Sequence, residues 1–322
     1  MDREKAGNRQ AVCMILRTPG EGQLKTPKAA MSNQGSSQID TESPLMHRAT
    51  THLSLVVGCY NAAWHLEKRL RDLIAFLDGT GRDYEVLIVE DGSLDDSLPI
   101  LRRLEVDVPS IHVLRNPRNM GKGYSIRNGI LNSKGKYIIF TDIDMAYAKR
   151  NLLAVLERLE SGDSLVVGNR RLPESVYVVN NRLVKYVYRR HRMGVAFNAL
   201  VRMLFGLTTR DTQSGLKGFS RSAAAQIFQQ LYTDGFLFDI EIFIRSRTLG
   251  IPVTEVPVQL SYEDDITTVR QFRYLLTVIP ELIHIKMLEV RGAYERRDLV
   301  SVTHDGEAAA AVLRPGASRR ED

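Results

Sequence analysis

Two aspartates, Asp142 and Asp144, close a short apolar run of Tyr137, Ile138, Ile139 and Phe140. In extended chain, residues i and i+2 face the same way, so both carboxylates can meet one object. At the carboxyl end of a parallel strand, where open α/β sheets bind ligands, a hard divalent ion that also holds a diphosphate fits such a pair. The same spacing also suits a strand-to-turn junction with two solvated carboxylates, since D-x-D by itself is a weak motif.

Other clusters carry related chemistry. In Glu90-Asp91-Gly92-Ser93, Gly92 permits a sharp turn and Ser93 or Asp95 can cap the next helix. Asp91 offers acceptors to a base or ribose, or serves the turn alone. Residues 116–123 bring glycine flexibility, backbone N–H groups and Lys122 to the start of a helix, which suits phosphate or nucleotide. P-loop spacing is absent, and no dinucleotide fingerprint follows the first strand, which counts against a P-loop kinase and a dehydrogenase.

Between 182 and 192, Arg182, Lys185, Arg189, Arg190 and Arg192 stand without an acid among them. Arg182, Lys185 and Arg189 fall near one helical face, with Arg170 and Arg171 just upstream. This run suits an acceptor phosphate, an anionic membrane surface, or a solvated basic helix. Tyr186 and Tyr188 interleave the cations, but no nucleic-acid motif accompanies them, so nucleic acid is not an expected partner. Within 210–219, Asp211 and Gln213 either reach the site from the second half or, for Asp211, cap a turn.

The elements that must position these residues follow from hydrophobic periodicity. Strands are expected at 53–58, 84–89, 111–114 and the run before Asp142, with helices at 62–76, 95–104 and 123–131. This βαβαβαβ order predicts an α/β, Rossmann-like, mostly parallel sheet with helices on both faces. Strand ends then converge on one rim carrying Tyr60-Asn61, Glu90-Asp91 and Asp142/Asp144. Further on, helices are expected at 151–159, 181–205, 222–231 and 238–249, and strands at 164–168 and 253–262. Residues 269–290 have helical apolar spacing, with Pro280 a kink point.

Residues 1–50 are polar and aperiodic and are expected to be disordered, with Met31 and Met46 as alternative translation starts. A transferase-sized domain is expected at 51–262, an amphipathic helical segment at 263–297, and a disordered tail at 298–322. With 43% hydrophobic and 25% charged residues the chain has an ordinary globular composition. Its two cysteines make no framework, and Cys59 reads as a small core residue, which fits a cytoplasmic location. The apolar stretch 12–16 is too short for a signal-peptide core, and no run approaches a membrane span. A formal charge of +6 suggests a polyanionic partner.

Taken in order, the motifs resemble those of GT-A glycosyltransferases of the dolichyl-phosphate sugar synthase type, and above all dolichyl-phosphate glucosyltransferases. The likeness runs through Val57-Gly-Cys-Tyr-Asn61, Val89-Glu-Asp-Gly-Ser93, Asn119-x-Gly-Lys-Gly123 and Thr141-Asp-Ile-Asp144. It continues through Gly168-Asn-Arg-Arg171, Arg210-Asp-Thr-Gln-Ser-Gly-Leu-Lys217, Gly235-Phe-x-Phe-Asp-Ile-Glu241 and Gly250-Ile-Pro-x-x-Glu-Val-Pro-Val258. It implies a GT-A fold with a C-terminal helical region on the acceptor side. It further implies a nucleotide-sugar donor of the UDP-glucose or GDP-mannose type, Mg²⁺ or Mn²⁺, a polyprenyl-phosphate acceptor and inversion at the sugar carbon.

On this likeness Asp142 and Asp144 lie by metal and diphosphate. Tyr60, Asn61, Glu90, Asp91, Lys122 and Asp142 form the nucleotide-sugar side, and Arg170, Arg189 and Arg192 the acceptor-phosphate side. Asp211 joins Asp142 and Asp144 as a candidate catalytic carboxylate. The sequence departs from the family where Pro-x-Tyr-Asn-Glu becomes Gly58-Cys-Tyr-Asn-Ala62, which removes one carboxylate. Family members often carry transmembrane helices, so contact here is expected to be peripheral, at the inner face of the membrane, leaving room for a separate membrane protein as partner. Residues 271–286 read as an interfacial helix or a core-packing one. Two rivals stand beside this reading: a transferase with a hydroxyl acceptor, for which Asp211 would be the general base, and a catalytically weakened nucleotide-sugar-binding protein.

Overall fold

The computed structural model of the chain describes residues 11–14, 49–262 and 271–295. After β1 (Ala11–Met14), the chain alternates strand and helix: β2 (Thr51–Cys59), α1 (Leu66–Asp78), β3 (Tyr84–Glu90), α2 (Ser97–Asp107), β4 (Ile111–Arg115), α3 (Lys122–Leu131) and β5 (Gly135–Asp142). These four later strands pair in parallel in the order β4-β3-β2-β5. The chain therefore steps outward from β2 on one side and returns to its other side with β5. That reversal opens a crevice at the carboxyl ends of β2 and β5.

The second half completes the sheet. After α4 (Arg150–Glu160) come β6 (Leu165–Asn169), β7 (Val176–Asn180), α5 (Val184–Phe205), β8 (Lys217–Ser220), α6 (Arg221–Phe228), α7 (Phe238–Leu249), β9 (Val253–Pro257), β10 (Gln259–Tyr262) and α8 (Gln271–Val290). The main sheet has seven strands in the order β4-β3-β2-β5-β8-β6-β9, with β8 antiparallel to both neighbours. The expected strand at 253–262 divides at Val258: β9 runs parallel to β6, and β10 leaves to pair with β7. β7, of five residues, and β8, of four with Gly218 inside it, were not expected as strands.

Residues 1–50 are expected to lack structure, and at residues 11–14 the fold differs. The apolar tetrad Ala-Val-Cys-Met adds β1 antiparallel to β7, because an unpaired strand edge offers N–H and C=O groups to any short extended segment. Residues 15–48, 263–270 and 296–322 lie outside the described part, and with them most of the expected N-terminal segment and the tail.

Alternation along the strands builds two apolar layers. Leu55, Val57 and Ile139 face Leu70, Leu101 and Leu156 of α1, α2 and α4. Val56, Ile138 and Phe140 face Ile130, Phe228, Ile240 and Ile285 of α3, α6, α7 and α8. Each such fully buried side chain contributes about 1.5–3 kcal/mol of transfer free energy. Cys59 belongs to the first layer, and burial pushes its thiol up to about 12. Helix α8 packs against the core through Val278, Leu282 and Ile285, which are buried, while Ile279, Ile283, Met287 and Val290 are exposed. The side chains of Phe272, Arg273, Leu275 and Leu276 lie outside the described residues. Among the described residues no helix is long and apolar enough to cross a membrane.

Candidate active site

Asp142 is the last residue of β5, in register with Gly58 of β2 at the crevice. The strand stops there. Asp144 sits in a turn closed by the Met145 N–H donating to the Asp142 carbonyl at 3.1 Å, with Met145 at φ 51°. The carboxylates thus meet through a strained turn and not through one strand face. Asp142 Oδ1 accepts from Lys122 Nζ at 2.6 Å, and Asp144 Oδ1 accepts from the Ala146 N–H at 3.1 Å. Gly215 backs Asp142 so closely that a Cβ there would lie 1.9 Å from Oδ2. Burial, then the charge of Asp142, raises the Asp144 carboxyl, while Lys122 and Arg190 pull it down. Burial also opposes the charge of Lys122, but Asp142, Asp239 and Asp144 overcome it and hold the ammonium above its ordinary value.

On the nucleotide side the loops clasp one another. The Asn61 N–H donates to Ser93 Oγ, and Asn61 Oδ1 accepts from the Leu94 N–H at 2.8 Å. The Ala62 N–H donates to Ser97 Oγ, so the position where the family has Glu is tied into the start of α2. Glu90 is buried and accepts from the Ser93 N–H. Asp91 is buried too; its carboxylate accepts from Asn116 Nδ2 and from the Met120 and Gly121 N–H groups. Gly92, at φ 70°, lets this turn lie against the backbone of Arg118 and Asn119. Tyr60 remains exposed on the rim.

These bonds change the reading of residues 116–123. Their N–H groups were expected to cradle phosphate, yet Met120 and Gly121 donate to Asp91, Gly123 to the Gly235 carbonyl, and Tyr124 to the Asp234 carbonyl. A buried amide is satisfied by the nearest carbonyl or carboxylate, and tertiary packing supplies both here. What the segment presents to the crevice is the Lys122 side chain.

The second half supplies buried ion pairs. Asp211 is fully buried and accepts from Arg170 Nε and Nη2, each at 2.7 Å, and from the Arg170 backbone N–H. Burial works against its charge, but the Arg170 guanidinium outweighs that and holds the carboxyl below its ordinary value. A carboxylate so engaged is a poor general base. Lys217 Nζ donates to Asp239 Oδ1 at 2.8 Å and lies over Phe140 and Phe243. Burial lowers this ammonium and raises its partner carboxyl, each opposed by the other's charge. Glu241 accepts from the Tyr232 and Thr233 N–H groups and from the Tyr294 hydroxyl, which anchors the loop beside Lys122. The blocks 210–217 and 235–241, separate in sequence, are thus joined by the buried Lys217–Asp239 pair.

The basic run lies on α5. Arg189 and Arg192 are exposed, as is Arg190, whose charge reaches Asp144. Arg171 donates to the Gly194 carbonyl at 2.5 Å, and His191 is held low by burial and by Arg171 and Arg170. Arg190 and Arg171 belong to the basic run expected near an acceptor phosphate, whereas Tyr147 and the Lys217–Asp239 pair, which also border Asp142 and Lys122, were not singled out from the sequence. Tyr147 accepts from the Gly215 N–H at 3.0 Å, so it braces the glycine behind Asp142. Only its place two residues past the D-x-D turn hinted at this.

Asp142 and Asp144 offer oxygen ligands from one turn, and burial followed by the charge of Asp142 raises the Asp144 carboxyl. No group of three or more His, Cys, Asp or Glu side chains is gathered for a metal among the described residues. Such a donor set fits a hard ion that takes its remaining ligands from a diphosphate and water.

The family model described as "Glycosyl transferase family 2" matches residues 54–228. A dolichyl-phosphate beta-glucosyltransferase of Dictyostelium discoideum is 30% identical over 279 residues, covering 83% of each chain. One of Homo sapiens is 26% identical over 274 residues, covering 80% of this chain and 82% of the other. Among solved structures, glucosyl-3-phosphoglycerate synthase from Mycobacterium tuberculosis, in complex with Mn²⁺, UDP and phosphoglyceric acid, superposes with a TM-score of 0.53. It is 18% identical and covers 78% of this chain and 81% of that one, which establishes the shared GT-A fold.

Proposed function

The chain belongs to glycosyl transferase family 2, and on that premise we propose that it moves a hexose from a nucleotide sugar to a polyprenyl phosphate. The relatives' names favour glucose as the sugar, from a donor of the UDP-glucose or GDP-mannose type. The observation that carries the choice of acceptor is the state of Asp211. A hydroxyl acceptor needs a base, and the carboxylate that sequence offered for that task is buried under Arg170. A phosphate acceptor is already anionic near neutral pH and needs cations to position it. Arg190, Arg189, Arg192 and Arg171 lie on or beside α5, with the charge of Arg190 reaching Asp144.

In this reading Asp142 and Asp144 hold the metal-bound diphosphate, Lys122 neutralises its charge, and Tyr60 offers its exposed ring to the base. Asp91, Glu90 and Asn61 keep the loops in shape. A bound Mg²⁺ or Mn²⁺ would supply Lewis-acid stabilisation of the leaving diphosphate. The α5 arginines orient the acceptor phosphate for one in-line displacement.

Membrane access is peripheral. The outer face of α5 runs from Arg189 and Arg192 through Met193 and Ala196 to Leu200 and Met203. These residues recur at helical spacing on one stripe, cationic at one end and apolar at the other. Leu200 and Leu204 meet Ile279, Ile283 and Met287 of α8 in an apolar groove. A graded cationic-to-apolar face fits an anionic bilayer surface.

Transfer of label from UDP- and GDP-sugars to polyprenyl phosphate, read by organic extraction, tests the proposal. Label in the organic phase that is lost with EDTA and with Asp144→Asn is expected. A folded protein that transfers only to hydroxyl acceptors would overturn it.

A further inference from the structure

We propose that Lys122 is a tethered counter-ion that keeps the divalent-cation position on Asp142 closed until a nucleoside diphosphate arrives. The inference rests on the reading of Asp142 and Asp144 as the metal-holding pair.

Asp142 packs against the chain on one side and faces a cation on the other. Its Oδ2 lies against Gly215, where a Cβ would come within 1.9 Å, while the side chain as a whole stays partly exposed. Its Oδ1 is taken by Lys122 Nζ at 2.6 Å, an ordinary charge-assisted contact. A metal approaching Asp142 therefore meets an ammonium in its place. Lys122 cannot simply retreat with its backbone. It is the first residue of α3, and the amides after it donate to the carbonyls of Gly235 and Asp234. Gly121 before it, at φ 97°, lies so close to the Asp234 carbonyl that a Cβ would sit 2.4 Å away. Only side-chain rotation can free the site.

The ammonium also lacks another ready partner among the carboxylates that hold its charge. Asp239 is bound to Lys217 at 2.8 Å, and Asp144 takes the Ala146 N–H and would be a ligand of the arriving ion. Exchange of Lys122 for a metal alone thus leaves a half-buried ammonium uncompensated. A diphosphate removes the obstacle, since its oxygens can take both the ammonium and the metal. Metal and nucleotide binding should therefore be positively coupled through this side chain, and coupling between two ligands is reciprocal.

The expected size follows from site competition. If Asp142 is free of Lys122 for about 1–10% of the time, apparent metal affinity without nucleotide falls roughly 10- to 100-fold. Free Mn²⁺ measured by EPR during titration, against the same nucleotide without protein, reads this and needs no turnover. Wild type is expected to bind Mn²⁺ weakly alone and at least about tenfold more tightly with UDP or GDP. Lys122→Met should bind Mn²⁺ alone at least about tenfold more tightly than wild type and show a nucleotide effect smaller by the same factor, the remainder coming from the diphosphate's own oxygens, whereas Lys122→Arg should keep the wild-type pattern. Lys122→Gln gives a second neutral variant should the methionine form fold poorly. Equal Mn²⁺ affinity in wild type and both neutral variants, with nucleotide coupling intact, overturns the counter-ion role and leaves the metal reading standing. Absence of Mn²⁺ uptake by every form, with UDP or GDP present, overturns the metal reading itself.

Discussion

Replacing Gly215 by alanine should disable the site while sparing the fold. The added Cβ would sit 1.9 Å from Asp142 Oδ2 and 2.6 Å from its Cγ. Carbon and oxygen do not approach within 3 Å in folded proteins, so the carboxylate must retreat by about 1 Å. It can retreat only toward Lys122, compressing the 2.6 Å ion pair, or rotate away from the ligand position beside Asp144. A 1 Å error in a group that positions the reacting atoms costs about 10²-fold in rate. The overpacking itself costs about 1–3 kcal/mol of stability, because Asp142 is partly exposed and has room on its outer side. The assay pairs initial rates of sugar transfer across a Mn²⁺ series with thermal melting of the same samples. Expected are a kcat reduced about 100-fold, a higher Mn²⁺ requirement, and a melting point lowered by only a few degrees. A rate within threefold of wild type in a well-folded Gly215→Ala protein would refute the claim that Asp142 must stand where Gly215 holds it.

Three more outcomes follow from the geometry. Asp211→Asn should lower stability by about 3–5 kcal/mol at neutral pH, because Arg170 is left without its buried partner. The carboxyl is held below its unfolded value of 3.8, so its contribution is present above that pH and lost as pH falls below it. The gap between the wild-type and Asp211→Asn melting points should therefore narrow in acid, and a gap that widens below pH 4 would contradict the ion pair. Arg190→Ala should raise KM for polyprenyl phosphate about tenfold or more, with a smaller effect from Arg189→Ala; the reverse order would reassign the acceptor side of α5. Flotation with anionic vesicles should carry the wild-type chain upward and leave Met203→Glu/Ile283→Glu at the bottom, and equal flotation of both would remove the α5–α8 face from membrane contact.

Local patterns make the first half of this protein readable from its residues alone. The runs in β2, β3, β4 and β5 are apolar and bounded by turn residues, so their succession and parallel pairing follow from periodicity and short connections, while the place of β5 beside β2 comes from the fold. The rim motifs then fall on strand ends as a matter of topology. The basic face of 182–192 and the buried character of Cys59 are equally local properties. Family resemblance, carried by the same motifs, named the transferase class that the comparisons bear out.

Partner choice is a different kind of information. Asp211 finds Arg170 across 41 residues, and Lys217 finds Asp239 across 22. The amides of 120–124 could have met a phosphate, but Asp91 and the 234–235 carbonyls are nearer. Whether Arg189 or Arg190 leans toward Asp144 depends on how α5 is rotated against the sheet, a result of core packing and not of helical spacing. Strands β1, β7 and β8 form where the fold brings extended segments against neighbouring strands whose N–H and C=O groups they pair. Sequence by itself determined which groups reach the rim, since periodicity and strand direction act along the chain. Tertiary structure alone decided which of them stay free to act there, because a buried charge or amide is claimed by whichever partner the fold brings closest.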